Sequence, residues 1–197
     1  MERIARITRD TKETQVTIEI NLDGTAQSSV DTPNGMLNHL IEQIARHGLI
    51  DISVVAKGDL SPGWHHLVED VGIVLGQALR SALGDGIGIV RVAHSVVPLD
   101  ETLAMVALDL GGRPYAVVTA PFNGSDLGDL PSDLVRHFLE VLALESRINL
   151  HAEILRGTND HHKAEALFKA LARALRDATM VDDRAPQDVP STKGTIS

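Results

Sequence analysis

The sequence predicts an α+β fold built from two similar halves, and three observations lead there. Apolar residues recur with a period of two in some segments and near 3.6 in others, so strands and amphipathic helices are both expected. The order of these segments in the first half recurs in the second. Two of the helices open on the same motif, HHxxE, at His65 and at His161.

Residues 5–24 alternate Val16, Ile18, Ile20 and Leu22 with Thr17, Glu19 and Asn21, which is the period of a half-buried strand ending at Asp23-Gly24. A second short strand follows. Residues 35–48 place Met36, Leu37, Leu40, Ile41 and Ile44 at helical spacing and stop at a glycine. The run LIDISVVAKGD alternates as a strand, and residues 65–83 carry Val68, Val71, Leu75, Leu79 and Ala82 on one helical stripe. Gly72 and Gly76 lower the propensity of this helix, so packing must hold it.

From Ile89 the order repeats. IVRVAHSVVPL, ETLAMVALDLGG and GGRPYAVVTA read as strands, PSDLVRHFLEVLALESR as a helix opened by Pro131 and Ser132, INLHAEILRG as a strand, and HHKAEALFKALARALRDA as a helix of strong formers. The expected division is a first repeat at 1–86, a second at 87–180 and a tail at 181–197, polar and proline-interrupted, whose composition is that of a flexible segment.

Composition excludes several chemistries. The 197 residues contain no Cys, which removes disulfides, thiolate metal sites and thiol nucleophiles. A net charge of -9 argues against nucleic acid and anionic membranes as partners, and five aromatics leave little to stack on single strands. No window reaches the roughly 18 apolar residues of a membrane span, and the start lacks an apolar stretch of signal-peptide length, so a soluble cytoplasmic protein is expected.

Histidine is the residue in excess, with nine against 18 Lys plus Arg. Besides His65-His66 with Glu69, and His161-His162 with Glu165, a single His precedes each pair by one helix: His39, 26 residues before His65, and His137, 24 residues before His161. Four features in the same order twice point to an internal duplication. Residues four apart share a helix face, so His65 with Glu69, and His161 with Glu165, can each clamp one ion. His66 and His162 point away and suit a second ion, the other half or another subunit. Six His and two Glu give eight ligands, enough for two octahedral ions with about two open positions each. Imidazole with carboxylate suits Mn, Fe, Ni, Co or Zn. His47 reads as a helix-end cap, and His94 and His151 as structural.

Arg91 and Arg113 sit in apolar segments, IVRVA and GGRPY, where an unpaired guanidinium is costly. Each must meet either an anionic ligand or an internal carboxylate, Asp100, Glu101 or Asp109. Ser191, Thr192, Lys193 and Gly194 supply hydroxyls, an ammonium and exposed amides of the kind that bind phosphate.

These motifs, together with TRDTKET, NHLIEQIARHG, GDL, HHLVEDVGI, PLDE, GRPY, NLH, GTNDHHKAEALFKALARAL and PSTKG, resemble the imidazoleglycerol-phosphate dehydratase family over nearly the whole chain. The resemblance implies helices packed on four-stranded sheets in split β-α-β halves, a 24-subunit shell built from trimers, and active sites at subunit interfaces with two Mn²⁺ each, other divalent ions being compatible. It implies metal ligands at His39, His65, His66, Glu69, His137, His161, His162 and Glu165. Substrate and phosphate contacts fall on Glu13, Arg91, Arg113, Lys169, Ser191, Thr192 and Lys193, with the tail closing over the phosphate of a neighbouring site.

The implied reaction converts imidazole glycerol phosphate to imidazole acetol phosphate in histidine biosynthesis. With both ring nitrogens held by metal, the imidazole can become imidazolate and expel hydroxide to give a diazafulvene-like intermediate. A carboxylate then removes the C–H proton, Glu13 being the first candidate and Glu69 or Glu165 the others. The chain departs from the family at Asn38, where an Asp is usual, and at Ser61-Pro62-Gly63-Trp64, which replace an Asp-rich segment; such groups commonly orient ligating His. A metal-binding shell protein without turnover and a dinuclear metallohydrolase on a small phosphate ester are the competing functions.

Overall fold

A computed structural model of the protein describes residues 2–58, 63–124 and 126–196. The alternating stretch 5–24 is two strands rather than one, β1 (Ile4–Asp10) and β2 (Thr14–Asn21), paired antiparallel with Ile4 opposite Asn21 and Asp10 opposite Gln15. The intervening turn contains no Gly, Asn or Pro. Its chain reversal is made by the Thr11 hydroxyl, which accepts from the N–H of Glu13 at 3.1 Å and of Thr14 at 2.9 Å. Next come β3 (Ser28–Asp31), α1 (Gly35–Gly48), β4 (Asp51–Gly58) and α2 (His65–Leu83). The second half runs β5 (Val92–Leu99), β6 (Thr102–Asp109), β7 (Tyr115–Thr119), α3 (Ser132–Ser146), β8 (Asn149–Arg156) and α4 (Asp160–Thr179).

The two halves share one topology. Their sheets have the orders β1-β2-β4-β3 and β5-β6-β8-β7, each with one parallel edge pair joined through a helix. Even the exceptions repeat: α1 and α3 both end on a left-handed non-glycine residue, Leu49 at φ 54° and Arg147 at φ 56°, whose N–H returns to Ala45 and Ala143. This is the α+β duplication expected from the sequence.

The inward faces of both sheets, with Ile18, Ile52 and Val54 on one and Ala104, Val106 and Leu150 on the other, are covered by helices. α2 packs on β1, β2 and β4, and α4 on β5, β6 and β8. The helices then pair across the halves, α2 against α3 and α1 against α4. Gly76 explains how α2 is held despite its glycines. A Cβ there would lie 2.7 Å from the Glu145 Cβ and 2.9 Å from the Leu142 carbonyl, so α2 and α3 touch backbone to backbone.

The tail is not the free segment its composition suggests. Val90 N–H donates to Met180 O and Asp182 N–H to Gly88 O, while Gly88 N–H donates to Asp188 O, fastening it along the entry to β5. Ile196 packs against the core. Among the described residues no helix is long and apolar enough to cross a membrane. Leu60 of the GDL motif and the Ser61-Pro62 departure lie outside the described residues.

Candidate metal centre and anion cleft

Six of the eight predicted ligands meet in two groups. His39, His161 and Glu165 form one, and His65, Glu69 and His137 the other, with donor atoms in each group within 4.8 Å of one another. Each group spans the halves: His39 on α1 joins two residues of α4, and His137 on α3 joins two residues of α2. The repeat therefore does not build one self-contained module per half, because the helices that carry the single His pack on the HHxxE helix of the other half. Sequence periodicity describes one helix at a time and cannot register that exchange.

The groups have the same donors and different tightness. Glu165 Oε2 lies 3.0 Å from His39 Nε2 and 3.2 Å from His161 Nε2, and its Oε1 lies 2.6 Å from Lys169 Nζ. Burial pushes the Glu165 pKa up, but the hydrogen bonds from Lys169 and His39 outweigh it and bring it down to about 2. In the other group Glu69 Oε1 stands 3.6 Å from His137 Nε2. The His65 and His137 rings stack at 4.7 Å, and those of His39 and His161 at 5.6 Å. His137 Nε2 and His66 Nδ1 are buried with no hydrogen-bond partner among the described residues. An orphaned imidazole nitrogen facing a carboxylate beyond hydrogen-bond reach fits a divalent ion, which both can ligate.

His66 and His162 stand outside the groups. His66 Nδ1 is 3.5 Å from Glu13 Oε2, and His162 Nδ1 accepts or donates at 2.8 Å with Glu101 Oε2. A carboxylate has no proton to give at neutral pH, so the His162 nitrogen is the donor. The N–H groups of Asn159 and Thr158 and the His162 ring hold the Glu101 carboxyl well below the usual carboxylate range. Glu101 is a residue that sequence reasoning considered only as an ion-pair partner for arginine. The signal was present in PLDE: its Glu precedes the Thr that opens β6, as Glu13 precedes the Thr that opens β2.

The predicted anion residues divide as well. Arg91, Arg113, Ser191, Thr192 and Lys193 line one cleft of about 420 Å³. Arg91 lies just before β5 rather than inside a strand, with a left-handed backbone at φ 74°, and Arg113 lies in the β6–β7 loop. Arg91 also meets an internal carboxylate, Asp109, through Nε at 2.7 Å and Nη2 at 3.0 Å, and donates from Nη1 to Pro190 O at 2.7 Å. Two of its five N–H donors remain for a ligand. Lys169 does not line the cleft; it pairs with Glu165. Asn38 shares two hydrogen bonds with Thr32, at 2.7 and 3.1 Å, which ties down the β3–α1 turn. At the end of α1, burial and the nearby Lys169 and Arg173 push the His47 pKa down, against the charged form that complements a helix C-terminus.

Residues 32–175 match the sequence family described as imidazoleglycerol-phosphate dehydratase. The chain belongs to this family. It is 55% identical over 195 residues to the imidazoleglycerol-phosphate dehydratase of Dehalococcoides mccartyi, covering 99% of this chain and 98% of that one. Against that of Methanothermobacter thermautotrophicus it is 53% identical over 189 residues, covering 96% and 95%. The crystal structure of the Staphylococcus aureus imidazoleglycerol-phosphate dehydratase superposes with a TM-score of 0.83 at 35% identity, covering 91% of this chain and 99% of that one.

Proposed function

We propose that the protein converts imidazole glycerol phosphate to imidazole acetol phosphate, a hydro-lyase step of histidine biosynthesis, with its two His₂Glu groups as the metal centre. The observation that carries this reading is the pair of triads, each assembled across the halves and each offering nitrogen and oxygen donors to one divalent ion. We read the ions as Mn²⁺, two per active site, with His66 and His162 completing the ligand set. Bound there, they supply Lewis-acid stabilisation of negative charge on the substrate imidazole. We read the chain as repeats 1–86 and 87–180 followed by the tail at 181–197.

The chain's own residues do the rest. Arg113, Lys193, Ser191, Thr192 and the free N–H groups of Arg91 hold the phosphate, and Asp109 keeps the Arg91 guanidinium in place. The proton leaving carbon goes to a carboxylate with spare capacity. Glu165 is already satisfied by His39, His161 and Lys169 and is a poor base; Glu13 is exposed, with one imidazole nearby, and is the better acceptor. Glu69 remains a ligand in this scheme.

Two features support an assembly with interface active sites. Arg91 N–H donates to Ala178 O, at the end of α4, while His161 is at its start. At about 1.5 Å per residue the run 161–178 is roughly 25 Å long, too far for one small phosphate ester to bridge. This separation supports a site in which the α4 triad and the anion cleft come from different copies of the chain. The outer face of the second sheet also exposes Val92, Val96, Tyr115 and Val117, an apolar surface that suits burial against another copy. We read the assembly as 24 subunits built from trimers.

The test is a product assay with Mn²⁺ and imidazole glycerol phosphate. Imidazole acetol phosphate is expected. Free phosphate would instead establish a metallohydrolase, and stoichiometric metal without either product a shell protein; neither alternative is favoured by the family membership.

A further inference from the structure

We propose that Glu101 is a positioning residue that fixes the His162 imidazole with its Nδ1 protonated, so that Nε2 presents its lone pair outward to a metal ion. This inference rests on the reading of His162 as a ligand.

The geometry is a three-point clamp. Glu101 Oε1 accepts from the N–H of Thr158 at 2.9 Å and of Asn159 at 2.8 Å, while Oε2 accepts from His162 Nδ1 at 2.8 Å. One carboxylate thus joins the β5–β6 turn to the segment leading into α4 and to the ring. Because an ionised carboxylate only accepts, the hydrogen sits on Nδ1 and the Nε2 lone pair is left open. Two further carboxylates act on the ring: Asp100, whose Oδ2 is 3.7 Å from Nε2 and beyond hydrogen-bond reach, and Glu165, one turn along α4. Carboxylates that orient ligating imidazoles in this manner raise their basicity and restrict ring rotation.

The duplication supplies an internal control. Glu13 occupies the corresponding turn of the first half, yet its carboxylate stands 3.5 Å from His66 Nδ1, whose nitrogen has no hydrogen-bond partner. Of the two equivalent glutamates, one has become a fixed strut and the other is left free.

Glu101→Gln separates the two functions of the clamp. The amide oxygen can still accept from Thr158 and Asn159, but its NH₂ meets Nδ1 as a second donor, so the ring is driven to the opposite tautomer or released. Protein stripped of metal is titrated with Mn²⁺ by calorimetry, and its melting is followed without metal. Glu101→Gln should weaken Mn²⁺ binding by about 10–100-fold, with the melting temperature within about 3 °C of the parent. In a His162→Asn background the same substitution should cause no further loss. Unchanged Mn²⁺ affinity in Glu101→Gln, while His162→Asn loses it, would overturn the positioning role alone. An equal loss in both backgrounds would overturn it too. Full affinity in His162→Asn would instead sink the ligand reading beneath it. Should Glu101→Gln not fold, Glu101→Asp, which keeps the charge but withdraws it from Nδ1, enters the same cycle with the same outcomes.

Discussion

The two HHxxE helices start with the same residues and are anchored differently. α4 opens under several restraints: Asn159 caps it by accepting from the N–H of His161 and His162, Glu101 grips the preceding amides, and the buried Lys163 pairs with Asp160 at 2.9 Å. α2 opens on Trp64, which offers no side-chain cap, and its flanking glutamate reaches no hydrogen bond with His66. The metal groups follow suit, with carboxylate-to-imidazole distances of 3.0 and 3.2 Å in one and 3.6 Å in the other. Duplication copied the donors, and the scaffolding around them then diverged. The α4 group is braced by its own surroundings, and the α2 group keeps polar atoms with unspent bonding capacity.

The largest expected effect tests whether both groups are needed. His65→Ala and His161→Ala each remove a ring from one group. Each should lower turnover more than about 100-fold, beyond what loss of a mere ligand-supporting partner causes, and lower the Mn²⁺ content measured by elemental analysis. Full metal content in either variant would break the equivalence. Next in size is the α2–α3 seam, where Gly76→Ala places a methyl against backbone. Overpacking of about 1–3 kcal/mol, less about 1 kcal/mol of recovered helix propensity, should lower the melting temperature by a few degrees. At Gly72 the nearest atom to such a Cβ is 3.4 Å away, and alanine there should leave melting unchanged or raise it.

Asn159→Ala removes the side-chain cap that α2 lacks and should cost about 1 kcal/mol in chemical denaturation; a cost near zero would mean that Glu101 and the Lys163–Asp160 pair suffice to secure α4. The smallest effect on stability belongs to Glu13. Glu13→Gln should shift stability by less than about 0.5 kcal/mol, as for an exposed group whose ion-pair partner lies outside good hydrogen-bond geometry, while turnover falls. A clear loss of stability would show that Glu13 is a strut after all.

Much of this was legible in the residues. The bounds of α1 and α2 follow from Leu37, Leu40, Ile44 and Val68, Val71, Leu75 on their stripes, and the residues of the two His₂Glu groups follow from the recurrence of HHxxE with a preceding His. Three things were not legible. The turn at Thr11 depends on a hydroxyl bonding to amides rather than on a turn-forming residue type. The pairing of α1 with α4 and α2 with α3 is a tertiary choice that leaves no period in the chain. The allegiance of charges, Arg91 to Asp109 and Lys169 to Glu165, depends on side chains far apart in sequence or on a rotamer.

Gly76 has a reach beyond packing. His65, Glu69, Gly72 and Gly76 follow one another along the side of α2 that faces α3, so the closest approach of the two helices works as the pivot of a calliper whose jaws are His65 and His137. The width of the jaws is inherited from the pivot, about three helical turns away. Two groups with identical donors can then differ in spacing, and a substitution that never touches a donor atom can change the distance between His65 and His137.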